Sequence, residues 1–156
     1  MKEFLLFYSF ISIFFQIPDE FAAKVIGISD GDSITVLVGK SEIKVRVDGI
    51  DCPEKKQAFG NRARVFTSNF CFGKMVIVKK KKNDRYGRLV ARVICDGKDL
   101  SEELLKAGMA WHFKKYDKSP VLSRLELEAR NKRIGLWSDP NPIAPWCFRK
   151  PEHCVQ

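Results

Sequence analysis

Three acidic side chains flank a predicted β-hairpin and together could bind a metal ion. Asp32 lies in the turn DGD before the first strand of the hairpin, and Asp51 and Glu54 follow its second strand in the segment IDCPE. Because a hairpin brings its two ends together, we expect the three carboxylates to converge at one end of the sheet. Carboxylate oxygens are the ligands that Ca²⁺ and Mg²⁺ prefer. Taken singly, each residue is more typical of a turn or a loop cap, so their convergence decides the interpretation.

Basic and aromatic residues near the same end could bind an anion. Arg46 lies between Val45 and Val47 in the second strand, so its side chain faces away from theirs, and it precedes Asp51 by five positions. Residues 84–88, DRYGR, alternate basic and aromatic side chains in a predicted loop. Guanidinium groups bind phosphate through paired N–H donors, and an aromatic ring stacks on a base. A solvated strand face and an ordinary hairpin turn are the structural alternatives.

The composition indicates one globular domain with an acidic partner. The 156 residues include 28 Lys and Arg against 19 Asp and Glu, a formal net charge of +9, and 45% are hydrophobic. This balance excludes a disordered tail and a polytopic membrane protein. The charge favours a phosphate-rich partner, and the four lysines at 79–82 would attract a nucleic-acid backbone without reading its sequence.

Apolar periodicity predicts the elements that position these residues. Alternation with period two predicts strands over 24–28, 34–38, 43–47, 75–79 and 89–94. Helical spacing predicts three helices: one over about 57–70, one from the cap Asp99 to Gly108, and one from the cap Ser119 to near Gly135. This order suits an α+β fold with a mainly β core, a five-stranded OB-type barrel closed by helices, which often binds nucleic acids.

An apolar segment near the N-terminus predicts export. Residues 4–17 follow Lys2 and match the apolar region of a secretory signal, and they fall short of the roughly 20 residues that span a bilayer. We therefore predict a signal peptide over residues 1–23 and a secreted or periplasmic protein. A retained membrane anchor and a buried first element are the alternatives.

The five cysteines cannot all pair within one chain. Export would permit disulfides, and we expect a bridge between Cys147 and Cys154, which enclose a short loop, although sequence alone does not set the connectivity. A zinc site formed by Cys147, His153 and Cys154 is the alternative, but it lacks a fourth ligand at the usual spacing.

The ordered motifs resemble those of the staphylococcal nuclease (thermonuclease) family. They are DGDSITV, Arg46, VDGIDCPE and DRYGR, and the likeness continues through GMAWHF, LELEAR and GLWSDPNPIAPW. The resemblance covers residues 24–149, which it identifies as a nuclease domain, and leaves 150–156 as a tail. It implies a five-stranded OB-type barrel with three helices. It also implies a secreted Ca²⁺-dependent phosphodiesterase that cuts DNA and RNA with low sequence specificity and leaves 3′-phosphate ends.

The resemblance implies roles for nine residues. A calcium ion would be held by two carboxylates and one backbone carbonyl, those of Asp32, Asp51 and Cys52. Catalysis would depend on two phosphate-binding arginines and a candidate general base, namely Arg46, Arg88 and Glu54. The nucleotide would be contacted by Arg85, Tyr86 and Tyr116. Position 52 usually carries Thr in the family, but a carbonyl ligand does not depend on the side chain.

Two other functions fit parts of the pattern. A non-catalytic nucleic-acid-binding module could use the same barrel, but it has no need to keep three carboxylates and two arginines together. A membrane-tethered nuclease would result if the N-terminal segment were retained. In each case DNA and RNA are the implied partners, and the sequence implies a monomer without a stable protein partner.

Overall fold

The computed structural model describes residues 17–154, in which the strands precede the last two helices. The strands are β1 (Glu20–Asp30), β2 (Ser33–Val38), β3 (Ser41–Val47), β4 (Ile50–Asp51), β5 (Met75–Asn83), β6 (Leu89–Cys95), β7 (Lys98–Asp99) and β8 (Trp111–His112). The helices are α1 (Gly60–Cys71), α2 (Leu100–Lys106), α3 (Pro120–Asn131) and α4 (Pro145–Arg149). Two 3₁₀ turns, Gly135–Ser138 and Pro151–His153, complete the C-terminal part.

The five longer strands close into a barrel. Antiparallel pairing gives the order β3-β2-β1-β5-β6, and β3 pairs with β6 in parallel, with Val45–Val47 opposite Leu89–Ala91. The predicted five-stranded OB-type barrel with helices is confirmed, and the short helix α4 is added to the three predicted ones. The predicted hairpin is β2–β3, in which Ser33 is paired with Arg46. This register places Arg46 beside the turn that carries Asp32.

Alternating apolar side chains of the longer strands fill the barrel. Val25, Val36, Val45 and Val78, one from each of four strands, are fully buried inside it. Burial of one such side chain stabilises a fold by about 1.5 to 3 kcal/mol. Helices α1 and α2 cover this core, with Ala63, Leu100 and Leu104 among the buried contacts.

A second, smaller cluster lies between α3 and the C-terminal part. Trp137 packs edge-on against Trp111 at 4.5 Å between ring centres, and Trp146 meets Trp111 at 5.5 Å. The guanidinium of Arg130 lies 4.0 Å from the ring centre of Trp137, a cation–π contact. This tryptophan cluster, formed by Trp111, Trp137 and Trp146, supports the segment that carries α4.

Two helices begin at the predicted caps. Asp99 accepts hydrogen bonds from the backbone amides of Ser101 and Glu102, and Ser119 accepts one from the amide of Leu122, so unpaired donors at both helix starts are satisfied. The predicted ends of α1 and α3 differ from the structure. Helix α1 begins at Gly60 instead of near 57, because Phe59 is left-handed with φ 67°. Helix α3 ends at Asn131 instead of near Gly135, because Arg133 has φ 52°.

The N-terminal prediction lies mostly outside the described residues. Residues 1–16 of the predicted signal peptide are not among them, and signal function stays a prediction. The described part of that segment belongs to β1, where Glu20 is paired with Lys79 and Ala23 with Val76. A cut after Ala23 would therefore remove four of the five paired positions between β1 and β5 and leave only Lys24 opposite Met75. Within residues 17–154, no helix is long and apolar enough to cross a membrane.

The predicted Cys147–Cys154 disulfide is not formed in the structure. All five cysteines, each within the described residues, are free thiols. Helix α4 and the following 3₁₀ turn nevertheless bring Cys147 and Cys154 together: desolvation, and the hydrogen bond that the Cys147 thiol donates to Cys154, raise the pKa of Cys147 to about 11. The two sulfurs are thus neighbours in the reduced state, and pairing them would need an oxidant. The alternative zinc site includes His153, whose side chain lies outside the described part.

Candidate active site in the barrel cleft

A cleft of about 1530 Å³ opens at the end of the barrel where β1 turns into β2. Its walls come from this turn, the end of β3, the segment around β4, the loop 84–88, the segment 113–118 and α4. All nine residues with roles implied by the family resemblance line this cleft: Asp32, Arg46, Asp51, Cys52, Glu54, Arg85, Tyr86, Arg88 and Tyr116. The fold thus brings together residues that are up to 84 positions apart in the sequence.

The turn before β2 fixes Asp32 inside the cleft. A Cβ atom added at Gly31 would lie 2.7 Å from Ala63 Cβ and 2.8 Å from Cys52 Sγ, so only glycine lets the turn pack this closely against α1 and the β4 segment. Asp32 is 5% exposed, and its Oδ2 accepts a hydrogen bond of 2.6 Å from the backbone amide of Cys52. The carboxylate therefore ties the turn to the residue after β4.

Arg46 bridges the two most buried carboxylates. Its Nη2 lies 3.0 Å from Asp51 Oδ1 and 3.3 Å from Asp32 Oδ2, while its Nη1 donates to the Val47 carbonyl at 2.7 Å. Asp51 is held in place because β4 pairs with β8, where Asp51 is opposite Trp111. The planar fork of the guanidinium makes these three contacts at once, which a lysine ammonium cannot do in the same geometry.

Burial and the charge of a neighbouring carboxylate raise the pKa of Asp51 and of Asp30. Burial raises the pKa of Asp51, and hydrogen bonding to Arg149 only partly opposes this rise. Burial and the charge of Asp32 raise the pKa of Asp30 to about 7. Burial alone would lower the pKa of Arg46, but Asp32 and Asp51 raise it above its usual value, so this guanidinium stays charged.

Glu54 lies at the cleft rim in a tight turn. Its amide donates to Gln57 Oε1 at 3.1 Å, and its carbonyl accepts from the Gln57 amide at 2.8 Å. Gly60 crosses this turn so closely that an added Cβ would lie 1.9 Å from the Glu54 carbonyl oxygen. The side chain of Glu54 is 35% exposed, so it lies within reach of solvent water.

Arg149 is a site residue that the sequence analysis missed. Its Nη2 lies 2.6 Å from Asp51 Oδ2, and its Nη1 lies 2.5 Å from Glu54 Oε1. The contact to Asp51 joins residues 98 positions apart, and Arg149 is the last residue of α4, a helix that was not predicted. The sequence offered only one weak signal, a basic residue directly after the aromatic segment PWCF.

The DRYGR loop is organised by its own aspartate. Asp84 Oδ1 accepts from the amides of Tyr86 and Arg88 at 2.9 Å each, and Oδ2 accepts from Arg88 Nε at 2.7 Å. Burial would raise the pKa of Asp84, but these amides and the guanidinium hold it below its ordinary value. Arg88 lines the same cleft as Arg46, but its ion pair within the described residues is with Asp84.

Two exposed rings stand beside cations on the cleft wall. Tyr86 is 68% exposed, and the guanidinium of Arg85 lies 4.8 Å from its ring centre. Tyr116 is 56% exposed, and the ammonium of Lys82 lies 5.5 Å from its ring centre. Such pairs of a ring and a cation match the stacking and phosphate contacts that single-stranded nucleic acids use.

The four lysines at 79–82 differ in their environments. A register shift between Lys80 and Lys82 interrupts the β5–β6 pairing, and Lys81 forms an ion pair with the buried Asp48 at 2.9 Å. The Nζ atom of Lys79 lies 3.4 Å from Oε2 of Glu20, so this lysine also has an acidic neighbour. At least one lysine of the run thus has a structural role, and fewer than four positive charges remain for a nucleic-acid backbone.

The oxygen donors of the cleft fit a hard divalent cation. Asp32 and Asp51 offer carboxylate oxygens, and the chain between them and Glu54 offers backbone carbonyls, which are the ligand types that Ca²⁺ and Mg²⁺ prefer. Across residues 17–154, no three Asp, Glu, His or Cys side chains are arranged to hold a metal on their own. Carbonyls, water and substrate oxygens would therefore have to complete the coordination.

Comparison with known proteins identifies the family. The sequence profile described as "Staphylococcal nuclease homologue" matches residues 44–139, from the middle of β3 to just past the 3₁₀ turn Gly135–Ser138. The chain belongs to the staphylococcal nuclease family. The family resemblance inferred from the sequence motifs is thus confirmed, and with it a nuclease function acting on nucleic acid.

Individual relatives of the staphylococcal nuclease family align over most of the chain. Protein ParB of Escherichia coli is 40% identical over 142 residues, covering 84% of this chain and 80% of its own. An uncharacterized endonuclease of Haemophilus influenzae is 42% identical over 130 residues, covering 83% and 73%. A micrococcal nuclease of Shigella flexneri is 39% identical over 142 residues, covering 84% and 82%. The last two relatives are thus named as an endonuclease and a nuclease, in agreement with the family.

Proposed function

We propose that the chain is a secreted, calcium-dependent nuclease that hydrolyses phosphodiester bonds of DNA and RNA with low sequence specificity and leaves 3′-phosphate ends. One observation carries the proposal: Arg46 bridges Asp32 and Asp51 in a cleft that also contains Glu54 and Arg88. A phosphodiester is an anion that resists attack by water. A catalyst must therefore neutralise the phosphoryl oxygens, activate the water and stabilise the departing oxygen.

The buried carboxylates would hold the cation. Asp32, Asp51 and the carbonyl of Cys52 supply oxygen ligands at the closed end of the cleft. When bound there, a divalent cation withdraws charge from a phosphoryl oxygen and lowers the pKa of a coordinated water. The protein's part is to present these oxygens on rigid elements, which the contact between Asp32 and the Cys52 amide supports.

The remaining side chains divide the chemistry among them. Glu54 is partly exposed and would accept a proton from the attacking water, a contribution of about 10² to 10⁴ in rate. Arg46 would bind the phosphoryl oxygens with N–H donors held by its two carboxylates. For a 3′-phosphate product, the bond from phosphorus to the 5′ oxygen breaks. Arg88 would stabilise that departing oxygen electrostatically, because a guanidinium does not readily give up a proton.

The cleft wall would bind nucleotides without distinguishing their bases. Arg85, Tyr86 and Tyr116 offer exposed rings and charges, which favour phosphate contact and stacking. Stacking on aromatic rings is tolerant of sequence, since every base has a flat face. This supports single-stranded or frayed segments of either DNA or RNA as the bound form.

Digestion of plasmid DNA and of RNA tests the proposal directly. We expect purified protein to cut both with Ca²⁺, and to lose cutting in chelator. Glu54→Ala is expected to reduce the rate by about 10² to 10⁴. Glu42→Ala, an exposed glutamate on β3 away from the carboxylates, is the matched control and should cut at the wild-type rate.

Three results would contradict parts of this scheme. Full activity in chelator would remove the assignment of the cation. Binding of nucleic acid without cutting in any divalent cation would favour the non-catalytic module. Product ends that a polymerase extends without prior phosphatase treatment would exclude 3′-phosphate ends.

Export forms part of the same proposal. The apolar residues 4–17 support it, because their length and the preceding Lys2 are typical of a secretory signal. We expect the mature protein to be smaller than the full chain and to be found in the medium or periplasm. Full-length protein confined to the membrane fraction would indicate a retained anchor instead.

A further inference from the structure

Arg149 lies directly on the carboxylates that the proposed metal site requires. Its guanidinium contacts both oxygens of Asp51, at 2.6 and 3.2 Å, and the Oε1 of Glu54 at 2.5 Å. Asp51 is 2% exposed, so its charge has little solvent to compensate it. In the cation-free chain, Arg149 therefore supplies much of the positive charge that this buried carboxylate needs.

The contacts of Arg149 use the oxygens that a cation would use. Oδ2 of Asp51 accepts from Arg149, and Oδ1 accepts from both Arg149 and Arg46. A calcium ion bound to either oxygen would lie about 2.3 to 2.6 Å from it. A guanidinium hydrogen-bonded to the same carboxylate would then be close to a second positive charge, and the two would repel strongly in a buried site.

The two arginines differ in how firmly they are held. Arg46 lies on β3 with 14% of its side chain exposed, and it also donates to the Val47 carbonyl. Arg149 is 41% exposed and projects from the five-residue helix α4. Its helix is fixed by Trp146, which stacks on Phe113 at 5.3 Å with an interplanar angle of 2°. The guanidinium of Arg149 can thus leave the carboxylates by side-chain rotation while α4 stays packed.

We propose that Arg149 is an internal counter-ion of the site, which a divalent cation must displace from Asp51 in order to bind. The inference depends on the proposed function for the position of the cation. It adds that the C-terminal helix sets the affinity for that cation. Arg149 stabilises the cation-free protein and weakens cation binding by the same interaction, as linkage requires.

Calorimetric titration of the nucleic-acid-free full chain with CaCl₂ tests the inference. Arg149→Gln keeps most of the side-chain length and removes the charge. We expect it to bind Ca²⁺ at least about tenfold more tightly than the wild type, the size expected for loss of a competing charged hydrogen-bond pair. Lys150→Gln is the matched control, because Lys150 lines the same cleft and carries the same charge. Its effect should stay within about twofold, since an exposed charge acts only through a screened field.

Thermal unfolding gives a second readout. In chelator, Arg149→Gln should unfold at a lower temperature than the wild type, because Asp51 loses one of its two guanidinium partners and keeps only Arg46. Saturating Ca²⁺ should raise the Tm of the variant more than that of the wild type. Equal affinities in the wild type and Arg149→Gln would overturn the inference and leave the metal site standing. Equal gains in Arg149→Gln and Lys150→Gln would also overturn it, as a general field effect. Folded protein that binds no Ca²⁺ in any variant would remove the proposed metal site, and the inference with it.

Discussion

We expect Arg46→Lys to lower the initial rate of DNA cleavage by about 100-fold or more, although the formal charge is unchanged. The guanidinium of Arg46 spans Asp32, Asp51 and the Val47 carbonyl from one planar group. A lysine ammonium is a single point with flexible reach, so it cannot keep both carboxylates aligned and still present paired donors to a phosphate. The loss should fall on kcat, because the contact strengthens as charge develops on the phosphoryl oxygens.

Steady-state rates on a labelled oligonucleotide at saturating Ca²⁺ measure this effect. Arg92→Lys is the matched control: Arg92 lies on β6, donates to Asp99 at 2.8 Å and does not line the cleft. The control should keep the wild-type rate. Circular dichroism should show both variants folded. A wild-type rate in folded Arg46→Lys would show that positive charge alone suffices at this position, and the bidentate role would have to be abandoned.

Gly108→Ala is expected to lower the free energy of unfolding by about 3 kcal/mol or more. Gly108 follows α2 with φ +63°, and an added Cβ would lie 2.1 Å from the Ile134 carbonyl oxygen. At this point two chain segments cross: the Leu136 amide donates to the Gly108 carbonyl at 2.8 Å, and a Cβ added at Gly135 would lie 2.3 Å from the same carbonyl oxygen. A methyl group at Gly108 must therefore push the segment after α2 away from the segment after α3.

Urea unfolding of Gly108→Ala beside Gly97→Ala separates the two causes of strain. Gly97 also has positive φ, +73°, but an added Cβ there would meet nothing within 4 Å. The free energy of unfolding of Gly97→Ala should therefore fall by only about 1 to 2 kcal/mol, the cost of an alanine in the left-handed conformation. If the two variants were equally stable, close approach at Gly108 would not matter, and the crossing would be looser than the structure indicates.

Local chemistry accounts for the elements that the sequence predicted well. Asp99 and Ser119 are helix caps that satisfy amides within three residues, so their signal is entirely local. Strand alternation is equally local, and it correctly predicted the strands that carry the buried side chains of Val36 and Val45. The start of α1 was predicted a turn too early, because nothing in the apolar spacing indicates that Phe59 adopts a left-handed backbone.

Long-range contacts explain what the sequence did not provide. The parallel pairing of β3 with β6 closes the barrel between segments more than 40 positions apart, and no pattern of periodicity specifies it. Arg149 is the clearest case at the candidate site: its partners Asp51 and Glu54 lie 98 and 95 positions earlier in the chain. The acidic residues were predicted to converge because a hairpin joins them, whereas Arg149 arrives through the packing of Trp146 on Phe113.

The position of the tryptophan cluster allows two spectroscopic signals to follow two parts of the protein separately during unfolding. All three tryptophans of the chain lie at Trp111, Trp137 and Trp146, outside the barrel. Their emission therefore follows the detachment of the C-terminal segment, while far-ultraviolet dichroism follows the strands of the barrel. Coincident denaturation curves from the two signals would mean that both parts melt as one cooperative unit, and an earlier fluorescence change would identify the C-terminal segment as a separate foldon.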